Sequence, residues 1–178
     1  MQLRFETVPV LHTERLEMRE VRVADFVNFA AMWADPVVVK HITGVVSTRA
    51  ESWVRMMSLA GSWPLNGFGY WIIIEKISGR FVGIAGFGEL KREINPSIEG
   101  QPEAGWVLAH WAHGRGFATE AMGAAMDWGL PRFGGIKPVA IMDPDYPATR
   151  RVAQKCGFVE KDLTTYKGEP CLIMEFAG

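Results

Sequence analysis

The run His113-Gly114-Arg115-Gly116-Phe117-Ala118-Thr119-Glu120 decides how this chain is read. It lies between an apolar segment, Gly105-Trp106-Val107-Leu108, and a stretch of helical character from Phe117 to Leu130. Two glycines allow a tight turn and a close approach of backbone to ligand. The first turn of the helix that follows has unpaired N–H groups and a partial positive charge. Such a helix end receives phosphate or pyrophosphate. Arg115 adds a fixed cation suited to phosphate oxygens. The sequence therefore points to a phosphate-bearing ligand.

Working outward, Glu103 to Leu108 reads as a strand and Val139 to Met142 as a short buried strand ending at Asp143-Pro144. A strand, glycine loop, helix and strand form a unit whose strands pair in parallel through a right-handed crossover. Upstream, Leu16 to Val21 alternates in part and reads as a strand. Asp25 to Trp33 is helical, with Phe26, Phe29, Ala30 and Trp33 at helical spacing, and Asp35-Pro36 stops it. Thr48 and Glu51 form a capping box for the next helix. There Trp53, Met56, Met57 and Ala60 are expected to face the core.

Trp63 to Gly67 reads as a turn-rich loop, and Tyr70–Glu75 and Phe81–Gly86 as a hairpin about Ser78-Gly79. Lys91 to Gln101 is a polar loop. Ala148 to Lys155 is a helix closed by Gly157, followed by strands Phe158–Asp162 and Cys171–Phe176 about the turn Lys167-Gly168-Glu169. This order predicts an α/β fold. Its mixed sheet has about seven strands, mostly antiparallel with one central parallel pair, and helices cover both faces.

The 178 residues suit one domain, 1–178. A net charge of −1 argues against nucleic-acid binding by bulk electrostatics. Met1 to Val10 lacks the apolar core of a signal peptide. No apolar run reaches the roughly 18 residues of a membrane span. The expectation is a cytoplasmic protein without membrane or nucleic-acid partners. Cys156 and Cys171 read as reduced, buried thiols, although their spacing also permits a disulfide. His110 and His113 lie three apart with no third ligand in view, so no metal is expected.

Taken in order, the segments resemble the GNAT superfamily of N-acetyltransferases. The resemblance is to the Rim-type branch, which acetylates ribosomal-protein N-termini. It is carried by Leu11-His12-Thr13-Glu14-Arg15-Leu16-Glu17-Met18-Arg19, Trp33-Ala34-Asp35-Pro36-Val37-Val38, Val82-Gly83-Ile84-Ala85-Gly86 and Glu103-Ala104-Gly105-Trp106. Arg151-Val152-Ala153-Gln154-Lys155-Cys156-Gly157-Phe158 is similar to the branch's last helix. The loop fits the pattern Arg/Gln-x-x-Gly-x-Gly/Ala, with His113 first, Gly116 fourth and Ala118 sixth. The likeness runs from Leu11 to Phe176.

The resemblance implies a GNAT-type fold, acetyl-CoA as cosubstrate and no metal. It also implies direct transfer to an amine, on a small molecule or a protein N-terminus, and makes a homodimer plausible. The amides of Arg115, Gly116, Phe117, Ala118 and Thr119, with Gly114 in the turn, would hold the pyrophosphate, and His113 would flank it. The backbone of Val107 and Leu108 would pair with the pantetheine arm as an added strand does. One of those N–H groups would polarise the thioester carbonyl. The attacking amine must be neutral. An α-amine, with a pKa near 7.7–8.0, needs little help, so one carboxylate acting through water suffices. Glu103 is the candidate base and Glu89 the second choice.

The branch carries Asn-x-x-Ser-x-Arg before the last helix, where this chain has Tyr146-Pro147-Ala148-Thr149-Arg150-Arg151. Thr149 keeps the hydroxyl, either for the coenzyme and its sulfur or for helix capping. Tyr146 replaces the Asn that contacts the pantetheine in the family, and its phenol either donates a bond from farther away, serves as proton donor to the departing thiolate, or packs. The tyrosine that other relatives carry four residues before Gly-Phe is Ala153 here.

Two rivals are weighed against this reading. A dinucleotide-binding domain shares the strand, loop, helix, strand and Asp143. It fails at Thr119, where its third glycine belongs. A non-catalytic acyl-CoA sensor on the same fold is kept open by Tyr146. Fold and loop speak for the donor side only. The loops Lys91–Gln101 and Trp63–Phe68 are expected to shape the acceptor side.

Overall fold

The computed structural model describes residues 7–178. Its strands are β1 (Leu11–His12), β2 (Leu16–Arg19), β3 (Tyr70–Glu75), β4 (Phe81–Gly88), β5 (Glu103–Leu108), β6 (Val139–Met142), β7 (Phe158–Tyr166) and β8 (Glu169–Phe176). They form one sheet in the order β1-β2-β3-β4-β5-β6-β8-β7. Neighbours are antiparallel except β5 and β6. Among the described residues there are thus eight strands, one more than expected. The extra one, β1, is two residues long, too short for alternation to register in sequence.

The helices are α1 (Phe26–Trp33), α2 (Pro36–Val39), α3 (Arg49–Asn66), α4 (Phe117–Gly129) and α5 (Pro147–Lys155). Alternation along β3 sorts its residues between two cores. Trp71 and Ile73 pack with Phe117, Ala121, Met122 and Ala125 of α4. Ile72 packs on the other face with Phe29 and Trp33 of α1 and Met56 and Leu59 of α3. A central strand covered on both faces reads as the nearly continuous apolar run Tyr70-Trp71-Ile72-Ile73-Ile74.

Two expectations for α3 are corrected. Its buried stripe is Ser52, Met56, Leu59 and Trp63, at spacings of 4, 3 and 4 residues, whereas Trp53, Met57 and Ala60 face outward. The helix also runs on through Pro64 to Asn66, where a loop was expected. Trp63 holds this last turn. It is 2% exposed, meets Trp71 and Trp128 edge-on, and donates its indole N–H to Tyr70 O at 3.1 Å. Gly67, at φ +79°, then closes the helix by donating to Trp63 O. Trp63 is therefore a core residue and not a wall of the acceptor side.

The central strands are set by close backbone approach. A Cβ on Gly83 would lie 2.2 Å from Val107 O, and one on Gly86 would lie 2.3 Å from Gly69 O. β4 therefore seats tightly between β3 and β5 only with glycine at these two positions. β5 is paired with β4 over its whole length, from Glu103↔Gly88 to Leu108↔Gly83. Toward β6 it pairs only at Glu103↔Val139. Beyond that point the two strands part, and a V opens toward their C-terminal ends.

Candidate active site

The open V exposes one edge of β5. Ala109 N–H donates to Val82 O at 2.8 Å, so alternation turns Val107, two residues earlier, toward β4 as well. Val107 is thus corrected as a partner for a ligand in the V, because its N–H and C=O face β4. The main-chain groups of Trp106 and Leu108 line the free edge instead. Leu108 O meets His113 Nε2 at 2.9 Å. A carbonyl only accepts, so this Nε2 carries the proton. His113 is therefore tied to the end of β5.

The glycine loop leads from this edge into α4. Gly114 and Gly116 lie at φ +72° and +79°, a region costly for other residues. Gly116 is the N-cap of α4, and no side chain caps the helix. The amides of Phe117, Ala118 and Thr119 thus stand at an open helix start. Arg115 lies 5.2 Å from the Phe117 ring and 5.3 Å from the Trp111 ring. Arg15 reaches in from the β1–β2 turn, donates to Arg115 O at 2.9 Å and lies 4.5 Å over Phe117.

Glu120 secures that turn to the loop. Its Oε1 accepts from Thr13 Oγ1 at 2.5 Å and from Arg15 N–H at 2.8 Å, and its Oε2 accepts from Arg15 Nε at 2.7 Å. Burial pushes the Glu120 carboxyl up, but these bonds prevail and hold it below its ordinary value. The Thr13–Arg15 segment, striking in sequence only as part of a likeness, thus has a physical task.

Glu103 sits at the closed end of the V and is 5% exposed. Arg92 grips both its oxygens, Nε to Oε2 at 2.6 Å and Nη2 to Oε1 at 2.7 Å. Burial opposes the Arg92 charge, but the Glu103 carboxylate raises its pKa overall. The Tyr70 phenol packs beside this pair and is pushed well above its usual value by burial and by the Glu103 charge. Gly105 makes the space for it, since a Cβ there would meet Tyr70 Oη at 2.4 Å. Glu89, the second carboxylate, accepts from Gly100 N–H at 3.0 Å and serves the polar loop.

At the C-terminal end of β6, Tyr146 is the N-cap of α5 and Thr149 stands in that helix's first turn, half-buried. The sequence reading missed their neighbour. His41, just past α2, stacks flat on Tyr146 with centroids 4.3 Å apart and planes 9° apart. Its Nδ1 lies 2.8 Å from Asp143 Oδ2. The bond from His41 holds the Asp143 carboxyl below its usual range, and the Asp145 N–H adds to the effect.

The acetyltransferase (GNAT) domain model matches residues 15–159. The chain belongs to the GNAT acetyltransferase family. Its relative YkkB of Bacillus subtilis (strain 168), itself uncharacterized, is 32% identical over 173 residues, covering 93% of this chain and 94% of YkkB. A GNAT-family acetyltransferase structure from Bordetella pertussis, described as putative, matches with a TM-score of 0.83 at 27% identity. It covers 96% of this chain and all of that one. RimL, a ribosomal L7/L12 alpha-N-protein acetyltransferase solved with coenzyme A, shares the fold. Its TM-score is 0.74 at 14% identity, covering 94% and 97% of the two chains. Among the described residues no helix is long and apolar enough to cross a membrane. Both cysteines are free thiols, and burial pushes Cys156 up to about 11.

Proposed function

We propose that this chain is an acetyl-CoA-dependent N-acetyltransferase that moves the acetyl group directly to a primary amine. The amine is a protein N-terminal α-amine or a small-molecule amine. One observation carries the reading. A strand edge left free by the β5–β6 splay leads, through one turn at His110–Ala112, into a glycine turn and an uncapped helix start. An extended amide arm suits the first feature and a pyrophosphate the second.

In this reading Trp106 and Leu108 bind the pantetheine arm through their main chain. Gly114, Arg115, Gly116, Phe117, Ala118 and Thr119 hold the pyrophosphate, and His113 steadies the turn between them. Tyr146 and Thr149 face the departing sulfur from the start of α5. Arg92 takes one lone pair on each Glu103 oxygen. Glu103 therefore fixes charge at the closed end of the V, in our reading, and does not take the amine's proton.

The test is acetyl-CoA calorimetry run with a thiol-release assay over amines and N-terminal peptides. Binding, with release on some amine, is expected. Gly116→Asp puts a carboxylate where the pyrophosphate belongs, in a conformation that favours glycine. It should abolish binding, and unchanged affinity would overturn the loop assignment. Binding without release on any amine would describe a sensor instead.

A further inference from the structure

α2 bridges the two arms of the V. At its start, Asp35 caps the helix by accepting from Val37 N–H at 2.9 Å, and its other oxygen lies 3.8 Å from His110 Nδ1, just past the end of β5. At its end, His41 reaches Asp143, just past the end of β6. The segment from Asp35 to His41 thus crosses the open mouth, the side from which two substrates must meet. Within it His41 has a carboxylate on Nδ1 and an aromatic ring flat against one face.

The chemistry of that environment is specific. Asp143 is held ionised by its two hydrogen bonds, so it acts as an acceptor and keeps the proton on His41 Nδ1. Nε2 is then the nitrogen with the free lone pair. The Tyr146 stack fixes the plane of the ring, so the direction of that lone pair is fixed as well. A carboxylate on Nδ1 that sets tautomer and orientation is how an imidazole is prepared as a general base. Side-chain exposures of 26% for His41 and 34% for Asp143 leave a path to solvent for a proton. The other candidates are built differently: among the described residues neither His113 nor His110, whose Nδ1 lies 3.8 Å from Asp35, has a carboxylate hydrogen-bonded to its ring. Glu103 is gripped by Arg92, and His113 donates to Leu108 O. The groups facing His41 are Asp143 and Tyr146, with Lys40 adjacent in sequence and Asp145 bonded to Asp143.

We infer that His41, held by Asp143 and stacked on Tyr146, takes the proton from the acceptor amine at the mouth of the V. This rests on the acetyltransferase reading above. An acceptor arriving as ammonium gives one proton to Nε2. The freed nitrogen bonds to the thioester carbonyl carbon, the carbon–sulfur bond breaks, and the sulfur leaves with the electron pair. The nitrogen sheds a second proton in becoming an amide, and the sulfur takes one up. The balance is one amide, one thiol and one proton passed from His41 to solvent.

The experiment uses the full chain, acetyl-CoA and the best amine from the panel. His41→Ala should lower kcat about 100-fold, the scale of a lost general base, and leave the acetyl-CoA Kd within twofold. Added imidazole, but not sodium chloride at equal ionic strength, should restore at least a tenth of the lost rate. His41→Gln, which keeps the side chain's bulk and polarity, should lose as much as alanine. Asp143→Asn should lose at least tenfold. If His41→Ala and His41→Gln stay within threefold of the parent, the role is wrong. A loss that imidazole does not repair, or one confined to the acetyl-CoA Kd, makes His41 a structural or binding residue and overturns it too. A parent chain that binds acetyl-CoA but acetylates nothing, or does not bind it, refutes the transferase reading first and the proton acceptor with it.

Discussion

Replacing Glu120 should loosen the donor side from a distance. The carboxylate accepts from Thr13 Oγ1, from the Arg15 amide and from the Arg15 guanidinium, with Arg15 Nη2 at 2.6 Å from Oε2. A hydrogen bond to a charged group contributes roughly 1.5–3 kcal/mol. The Arg15 side chain is 44% exposed, so water replaces most of what its guanidinium loses. The Thr13 and Arg15 main-chain anchors remain, and two such bonds at the lower bound set the loss for Glu120→Ala at about 3 kcal/mol.

Glu120→Gln keeps one accepting oxygen but turns an NH₂ group toward the guanidinium, donor against donor. It should lose about 2 kcal/mol. Urea denaturation at pH 7 reads both values from the midpoint, with the slope unchanged. The sign with pH follows from the lowered carboxyl. Its stabilisation is complete above the ordinary value of 4.5 and is lost as pH falls through the lower folded value. The parent's advantage over Glu120→Gln should hold at pH 7 and fade below about pH 4.5. Since Arg15 also supports Arg115 O, acetyl-CoA affinity should fall in both variants. A Glu120→Ala protein within 0.5 kcal/mol of the parent would refute this account of the loop's support.

Two further outcomes test the frame around the site. Gly83→Ala would drive a Cβ to 2.2 Å from Val107 O and 2.7 Å from Leu108 Cα, at φ +151°. Overpacking and backbone strain together predict a loss of about 4 kcal/mol, with weaker acetyl-CoA binding as β5 shifts. An unchanged denaturation midpoint would show that β4 and β5 are less tightly seated than described. Arg92→Leu strands Glu103, 5% exposed, without its cation, and should cost about 3–5 kcal/mol. Adding Glu103→Gln should recover much of that loss, and a strictly additive double variant would deny the pair its coupling.

How much of the fold the sequence disclosed depends on where each element gets its order. The β3, β5 and β6 boundaries were legible because the burial of these strands writes apolar runs bounded by Gly, Pro and Asp. The α4 start was legible because a left-handed N-cap demands glycine, which is a property of one residue. The end of α3 was not. Pro64 and Asn66 signal a loop locally, while the turn is held by Trp63 packed on Trp71 and Trp128, partners 8 and 65 residues away. The same helix shows how propensity misleads in a Met- and Trp-rich segment. Trp53 and Met57 look like core, yet the face toward the sheet is set by Met56, Leu59 and Trp63, and even Ser52 is buried ahead of them.

The site divides along the same line, and the division has a functional consequence. Phosphates and an amide arm are recognised mainly by backbone, so the donor side needs glycines and a strand edge, and both are short-range signals. The proton side is made of side chains from separate elements. His41 and Asp143 stand 102 residues apart, and Arg92 and Glu103 are joined across a polar loop. Neither partner of such a pair carries a local mark. Glu103 reads as the base from its strand position and charge, whereas Arg92, eleven residues earlier in the polar loop, holds both its oxygens. His41 had no periodicity or motif to single it out, although it lies beside Tyr146, the position where this chain differs from the Rim-type pattern it resembles. An imidazole stacked on the residue that stands where the Rim-type pattern has Asn links that difference to the arrangement at the mouth. The two residues should therefore act as a unit. Tyr146 and His41 substitutions would then be non-additive, since removing either one frees the same ring plane.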